Sequence, residues 1–157
     1  MNQAIQEQPG TKTTERPLYS PGLEGVIAGE SALCQVDEGE AGLRYRGYAI
    51  GDLAKWSRFE EVAYLLLIGH LPTRSELDSF STLLRGHRVL PDPVQRFIDS
   101  LQPGLHPMDV LRTGISLLGL SDPDAQDGSH EANLRKSMRL LSQIPLLIAH
   151  SYRVMAG

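Results

Sequence analysis

AGLRYRGYAIGDLAKWSRFEEVAYLLLI, residues Ala41 to Ile68, passes from a strand through a tight turn into nearly unbroken apolar helix. Leu43 to Tyr45 can lie extended, and Gly47 permits a turn that a side chain would obstruct. Ile50 to Trp56 and then Phe59 to Ile68 read as consecutive helices. From Val62 to Ile68 every residue is apolar, and a helix apolar all round belongs in the interior of something larger than a two-layer miniature. Arg44 and Arg46 offer two readings. Alternate strand residues point the same way, so the pair can hold an anion on one face of the hairpin. The other reading is an exposed strand edge blunted by charge.

Upstream, Met1 to Ser20 holds Gln, Thr, Pro and Gly with few large apolar groups, too little burial to offset the entropy of ordering; residues 1–20 read as a flexible arm. LEGVIAGESALCQV, Leu23 to Val36, mixes apolar and β-branched residues with Gly25, Gly29 and a Glu30-Ser31 pair, which predicts two short strands around a turn. DEGEAG, Asp37 to Gly42, is a polar turn that returns the chain through Leu43 to Tyr45. A small antiparallel hairpin or sheet of two or three strands follows.

Downstream the pattern stays helical. Gly69 ends the apolar helix. Thr73 with Glu76 three residues later forms a capping box, opening a helix whose core face is Leu77, Phe80 and Leu84. Asp92 as cap and Pro93 at the first position predict a short helix to about Leu101. Pro107 starts another, whose polar stripe is only Asp109, Arg112 and Ser116; so broad an apolar surface must be covered on more than one side. Gly114 within it costs about 1 kcal/mol relative to Ala, and the usual compensation is close approach of another helix. Ser121 to Ser129 reads as a surface loop. The last and longest helix, about Glu131 to Ala156, contains Pro145, which should bend it; the apolar periodicity continues through Tyr152 and Met155. The fold class is mainly α, with residues 21–157 forming one multihelical domain.

Composition narrows the functions. At 157 residues, 41% apolar and 22% charged, the chain has the make-up of a soluble globule with one core. A formal charge of -4 without a dense Lys/Arg cluster gives no footprint for nucleic acid or an anionic membrane. The polar start lacks the apolar core of a secretory signal, and no apolar run approaches the roughly 20 residues of a membrane span, so the expectation is cytoplasmic. Cys34, the single cysteine, excludes an internal disulfide and reads as a small half-buried strand residue.

The histidines are His70, His87, His106, His130 and His150. No two stand at i, i+4, and none lies in a zinc signature, so a metal site is not expected. There is no G-x-S-x-G elbow, and the glycines from Gly22 to Gly29 lack phosphate-cradling spacing. His106, just before Pro107, reads either as a site residue or as a helix-start histidine satisfying a backbone carbonyl. Spacing alone composes no catalytic centre.

Five blocks taken together carry a resemblance: GLEGVIAGES at Gly22, GLRYRGYAIGDLA at Gly42, FEEVAYLLLIGHLPT at Phe59, LHPMDVLRTGISLLG at Leu105 and QIPLLIAHSYR at Gln143. In this order and spacing they resemble the N-terminal part of the large domain of citrate synthase and of 2-methylcitrate synthase, from about Gly22 to Gly157. The resemblance implies a largely helical, homodimeric enzyme that condenses acetyl coenzyme A, or propionyl coenzyme A, with oxaloacetate. It implies general acid-base catalysis by one aspartate and two histidines, without a metal. Those three residues belong to family motifs downstream of the last helix, as do the arginines that hold the substrate carboxylates. No catalytic or cofactor-binding residue is therefore expected among residues 1–157, and the chain is expected to be inactive alone; the coenzyme A thioester is a substrate of the complete enzyme. Where some relatives carry a basic residue towards coenzyme A, Ser20-Pro21-Gly22 stands instead.

The resemblance also assigns the two long helices much of a dimer interface. Val110, Gly114 and Leu117 form one face at helical spacing, and Leu141, Pro145, Ile148 and Tyr152 form another; packing inside one subunit is the alternative. The expected partner is a second copy or a complementary C-terminal segment. Two functions stay open: part of an acyltransferase, or a free-standing helical dimerisation or regulatory module on the same fold.

Overall fold

The computed structural model describes Gly22, residues 29–36 and residues 42–157. The expected arm at residues 1–20 and the first of the two strands expected before Val36 lie outside the described residues. The described residues divide after Ser31 into two units; the architecture below is that of the second, Ala32–Gly157.

A three-stranded antiparallel sheet comes first, in the order β1 (Cys34–Val36), β2 (Leu43–Tyr45), β3 (Tyr48–Ala49). Cys34 pairs with Tyr45 and Val36 with Leu43, while Tyr45 pairs with Tyr48 across the second turn. That turn is Arg46-Gly47, with φ of 48° and 88°. Positive φ at both positions is the pattern of a primed two-residue hairpin turn, whose twist matches the strands it joins. Glycine takes this conformation freely, whereas Arg46 takes it against a steric penalty. Cys34 does lie in a strand, but it is exposed rather than half-buried, because β1 is the edge of a sheet too small to cover both faces.

Six helices follow among the described residues: α1 (Ile50–Trp56), α2 (Phe59–Ile68), α3 (Arg74–Gly86), α4 (Asp92–Asp99), α5 (Pro107–Leu120) and α6 (His130–Ala156). Their ends have local causes. Gly69 stops α2 in the left-handed conformation, with φ of 108°. Thr73 and Glu76 cap α3 reciprocally: the Thr73 amide donates to Glu76 Oε2 at 2.7 Å, and the Glu76 amide donates to Thr73 Oγ1 at 3.3 Å. Pro91 rather than Asp92 is the N-cap of α4, which ends at Asp99, two residues short of expectation; Ser100 turns the chain there. Ser129 caps α6 by accepting from the Ala132 amide. The helix runs through Pro145 without a break.

With 27 residues, α6 is about 40 Å long, and α2 to α5 are arranged along it, while α1 packs against the sheet. Near its N-terminal half, Met138 and Leu141 pack on a cluster of Ala63, Phe80 and Leu84 from α2 and α3. Towards its C-terminal half, Leu147 is fully buried with Val94 and Ile98 of α4, Leu101, and Val110 and Leu118 of α5. One spine thus joins two cores. At Gly114 α5 lies close against α6. A Cβ there would sit 2.6 Å from Leu147 Cδ2 and 2.7 Å from Cδ1, so the close approach expected at this glycine is made, within the chain, by α6.

Among the described residues no helix is long and apolar enough to cross a membrane.

Candidate functional site

The surface of α5 and α6 is built in two grades. Val110 and Gly114 face α6 and are buried in the chain itself, and Leu117 is half-buried against the same core. Further round α6, Ile148 and Tyr152 are 51% and 69% exposed, beside Met108 of α5 at 60%. Val110, Ile148 and Tyr152 come together in a cleft of about 270 Å³ between the two helices, floored by Leu147 and Ser151. Ser151 is itself buried, and among the described residues its Oγ has no hydrogen-bond partner.

Leu141 and Pro145 lie elsewhere. They line a wider apolar groove of about 510 Å³ between α2 and α6, with Phe59, Ala63, Leu66 and Ile144. In α2 only Ala63 and Leu65 are buried, and Phe59 is 64% exposed. The helix that reads as interior on every side is covered on one side by α3 and α6 and open on the other. Apolar side chains left open along a helix face are a candidate packing surface.

The loop between α5 and α6 is held by charge. Arg139 donates through Nε to Asp122 Oδ2 at 2.8 Å and through Nη2 to Asp122 Oδ1 at 2.7 Å; the same Nη2 reaches Asp124 Oδ2 at 2.6 Å. Arg135 donates to both oxygens of Asp124, at 3.0 and 2.7 Å. Paired forks of this kind are the strong form of ion pair. Arg139, Asp122 and Asp124 each keep 18% or less of their side-chain surface, so solvent screens them weakly. Burial raises the Asp122 carboxyl, but hydrogen bonds from Arg139 and from the Asp124 amide outweigh it and hold the group below the usual carboxylate range. Hydrogen bonds from Arg135 and Arg139 hold Asp124 far below that range. Ser121 to Ser129 is therefore a clamped connection, where the sequence reads as a solvated loop. A signal was present: Arg135 and Arg139 stand at i, i+4, where like charges repel unless carboxylates sit between them.

Other sequence-stretch candidates resolve structurally. Arg46 lies in the turn outside β2, so Arg44 and Arg46 do not share a strand face. Arg44 Nη1 donates to the Gly47 carbonyl at 3.2 Å, and Arg46 Nη2 donates to the Leu66 carbonyl at 3.3 Å. Arg46 thereby ties the hairpin to α2. His106 is the N-cap of α5, but its Nδ1 accepts from the Met108 amide at 3.3 Å instead of satisfying a carbonyl, as an orphan amide at a helix start requires. His70 stands edge-on to Tyr64, with ring centroids 5.5 Å apart. Among the described residues no group of three or more His, Cys, Asp or Glu side chains is placed to hold a metal ion.

Comparison with known proteins bears on the whole helical layer. A family model described as citrate synthase, C-terminal domain, matches residues 22–157. The chain belongs to the citrate synthase family. A 2-methylcitrate synthase of Shewanella oneidensis is 42% identical over 138 residues, 88% of this chain and 36% of that protein. A citrate synthase of Deinococcus radiodurans is 40% identical over 136 residues, again 87% of this chain and 36% of the relative. The crystal structure of citrate synthase from Pyrobaculum aerophilum superposes with a TM-score of 0.79 at 31% identity, covering 97% of this chain and 42% of that one. The chain thus spans a little over a third of the length of the curated relatives it matches.

Proposed function

We propose that residues 1–157 form the N-terminal scaffold of a citrate synthase-type acyltransferase, and that the chemistry is completed by a segment packing into the α2/α6 groove. The observation that carries this reading is the groove itself. Apolar side chains of two adjacent helices line it, uncovered, in a chain that spans 36% of its relatives. In the complete enzyme the reaction joins the methyl carbon of acetyl coenzyme A to the ketone carbon of oxaloacetate, and water then hydrolyses the thioester of the resulting citryl coenzyme A to release citrate and free coenzyme A. Propionyl coenzyme A would give 2-methylcitrate by the same steps, and relatives of both names stand at similar identity. Proton abstraction from the thioester and stabilisation of the enolate are general acid-base and electrostatic tasks. In this reading the aspartate and two histidines that perform them lie outside residues 1–157. These residues then bind no cofactor alone, and the coenzyme A thioester is a substrate of the completed site. Self-association would use the exposed part of the α5/α6 surface, Met108, Ile148 and Tyr152, while Val110 and Gly114 support it from beneath.

The test is reconstitution. Residues 1–157 alone should release no thiol from acetyl or propionyl coenzyme A with oxaloacetate. Adding the remaining segment of a relative, produced separately, should restore release, and Leu141→Asp in the groove should abolish the restoration. Turnover by residues 1–157 alone refutes the reading. The uncovered α5/α6 strip also suits a second reading, a dimerisation or regulatory module; sedimentation as a dimer that no complementary segment activates would favour it.

A further inference from the structure

A second pocket, of about 540 Å³, opens where the end of α3 and the start of α4 meet the C-terminal part of α6. Arg88, Gln95, His150 and Arg153 line it, beside Leu90 and Leu146. Its charged lining residues are arginines. Among the described residues Arg74, Arg112, Arg135 and Arg139 are each paired with an aspartate. Arg88 and Arg153 enter none of these ion pairs, and among the described residues no carboxylate lines the pocket. Asp99 approaches through Gln95, whose Nε2 donates to it at 3.0 Å and stands 3.4 Å from His150 Nδ1. The neighbouring cleft on the other side of Arg88 contrasts with it, because Glu60 and Asp78 stand there among Arg58, Arg74 and Arg85. Two guanidinium-bearing residues outside those ion pairs line one cavity, and positive charge unopposed there attracts an anion.

The chemistry narrows the ligand. Each guanidinium presents a planar fork of donors suited to phosphate or carboxylate oxygens. Two forks from separate elements, with an imidazole between helices, offer donors in more directions than one planar carboxylate uses, and a tetrahedral phosphate accepts from several directions at once. Leu90 and Leu146 supply an apolar wall for the part of a ligand that carries the phosphate. The volume suits a small organic molecule. We propose that this pocket is a binding site for a phosphate-bearing small molecule, held by Arg88 and Arg153 with its organic portion against Leu90 and Leu146. The site is separate from the α2/α6 groove and does not depend on the reading of that groove.

Phenyl phosphate is a suitable probe, titrated into the chain at constant ionic strength while backbone amide shifts are followed. Saturable shifts should appear at residues 88–95 and 146–153. Inorganic phosphate should bind at the same amides more weakly, for lack of the apolar part. Arg88→Ala and Arg153→Ala should each weaken binding on the order of tenfold, the effect of losing a charge-assisted hydrogen bond. Arg112→Ala, on α5, should leave it unchanged. Both pocket arginines are exposed, so the variants should keep the helical circular dichroism of the parent. Absence of saturable shifts at these residues, or equal weakening by Arg112→Ala, overturns the proposal. Succinate binding as tightly as phenyl phosphate would overturn the assignment to phosphate.

Discussion

Replacing Gly114 by alanine sets two opposed effects against each other, and the structure says which wins. In an unconstrained helix the change stabilises by about 1 kcal/mol, because glycine has more backbone freedom to lose. Here the new Cβ meets Leu147 Cδ2 at 2.6 Å, Cδ1 at 2.7 Å and Cγ at 3.2 Å, where carbon atoms settle near about 3.5–4.0 Å. Turning the leucine about its Cβ–Cγ bond leaves Cγ itself 3.2 Å away, so relief requires the whole side chain to move. Leu147 is also fully buried among Val94, Ile98, Val110 and Leu118, so it has nowhere to retreat. Overpacking of this kind costs roughly 1–3 kcal/mol. The net for Gly114→Ala should be destabilisation of up to about 2 kcal/mol, up to about 8 °C in melting temperature for a chain this long. Urea unfolding followed by helical circular dichroism measures it. The same substitution made in a Leu147→Ala background, which by itself costs about 2–5 kcal/mol, should change sign and stabilise by up to about 1 kcal/mol. A Gly114→Ala that stabilises the parent as much as it stabilises the Leu147→Ala protein would refute the argument, since the two sites would then be uncoupled.

Two further predictions concern charge and capping. Asp122 and Asp124 are both held below the ordinary carboxylate range, so the native chain binds fewer protons than the unfolded one in acid. The stability they confer is complete above an unfolded carboxylate value of about 4 and is lost as pH falls towards their lower native values. Unfolding free energy measured from about pH 5 to about pH 3 should therefore fall, and Arg139→Ala should flatten that slope while costing about 2–4 kcal/mol at neutral pH; parallel slopes would contradict the clamp. Thr73→Ala should cost about 1 kcal/mol and Thr73→Ser little, with faster amide exchange at the Glu76 amide, whereas unchanged exchange there would deny the cap its role.

Much of this molecule is legible one element at a time. The capping box at Thr73, the stop at Gly69, the proline start of α5 and the apolar phase of α3 are local features, each fixed by residues three or four apart. Arg46 was not legible in this way. Its positive φ and its bond to the Leu66 carbonyl depend on a hairpin turn and on a helix twenty residues away. Nor was the direction of cover for α2, because seven successive apolar residues give no phase, and only the positions of α3 and α6 decide which side is buried. The candidate interface divided for the same reason. Val110, Gly114, Leu117, Leu141, Pro145, Ile148 and Tyr152 satisfy a helical period alike, yet periodicity identifies a face and leaves open what covers it.

Ala41 to Ile68 and the blocks at Gly22, Leu105 and Gln143 therefore determined the family, the mainly helical class and the order of the elements, since these follow from near-neighbour spacing and from the ordered motifs. Tertiary structure alone decided that Leu147 fills the space at Gly114, that Arg139 binds two aspartates of a loop, and that Arg88 and Arg153 share one pocket. The physical reason is common to all three. Each joins residues far apart in the chain whose meeting depends on how α6 lies against its neighbours, and the helical period of one segment carries no information about that distance.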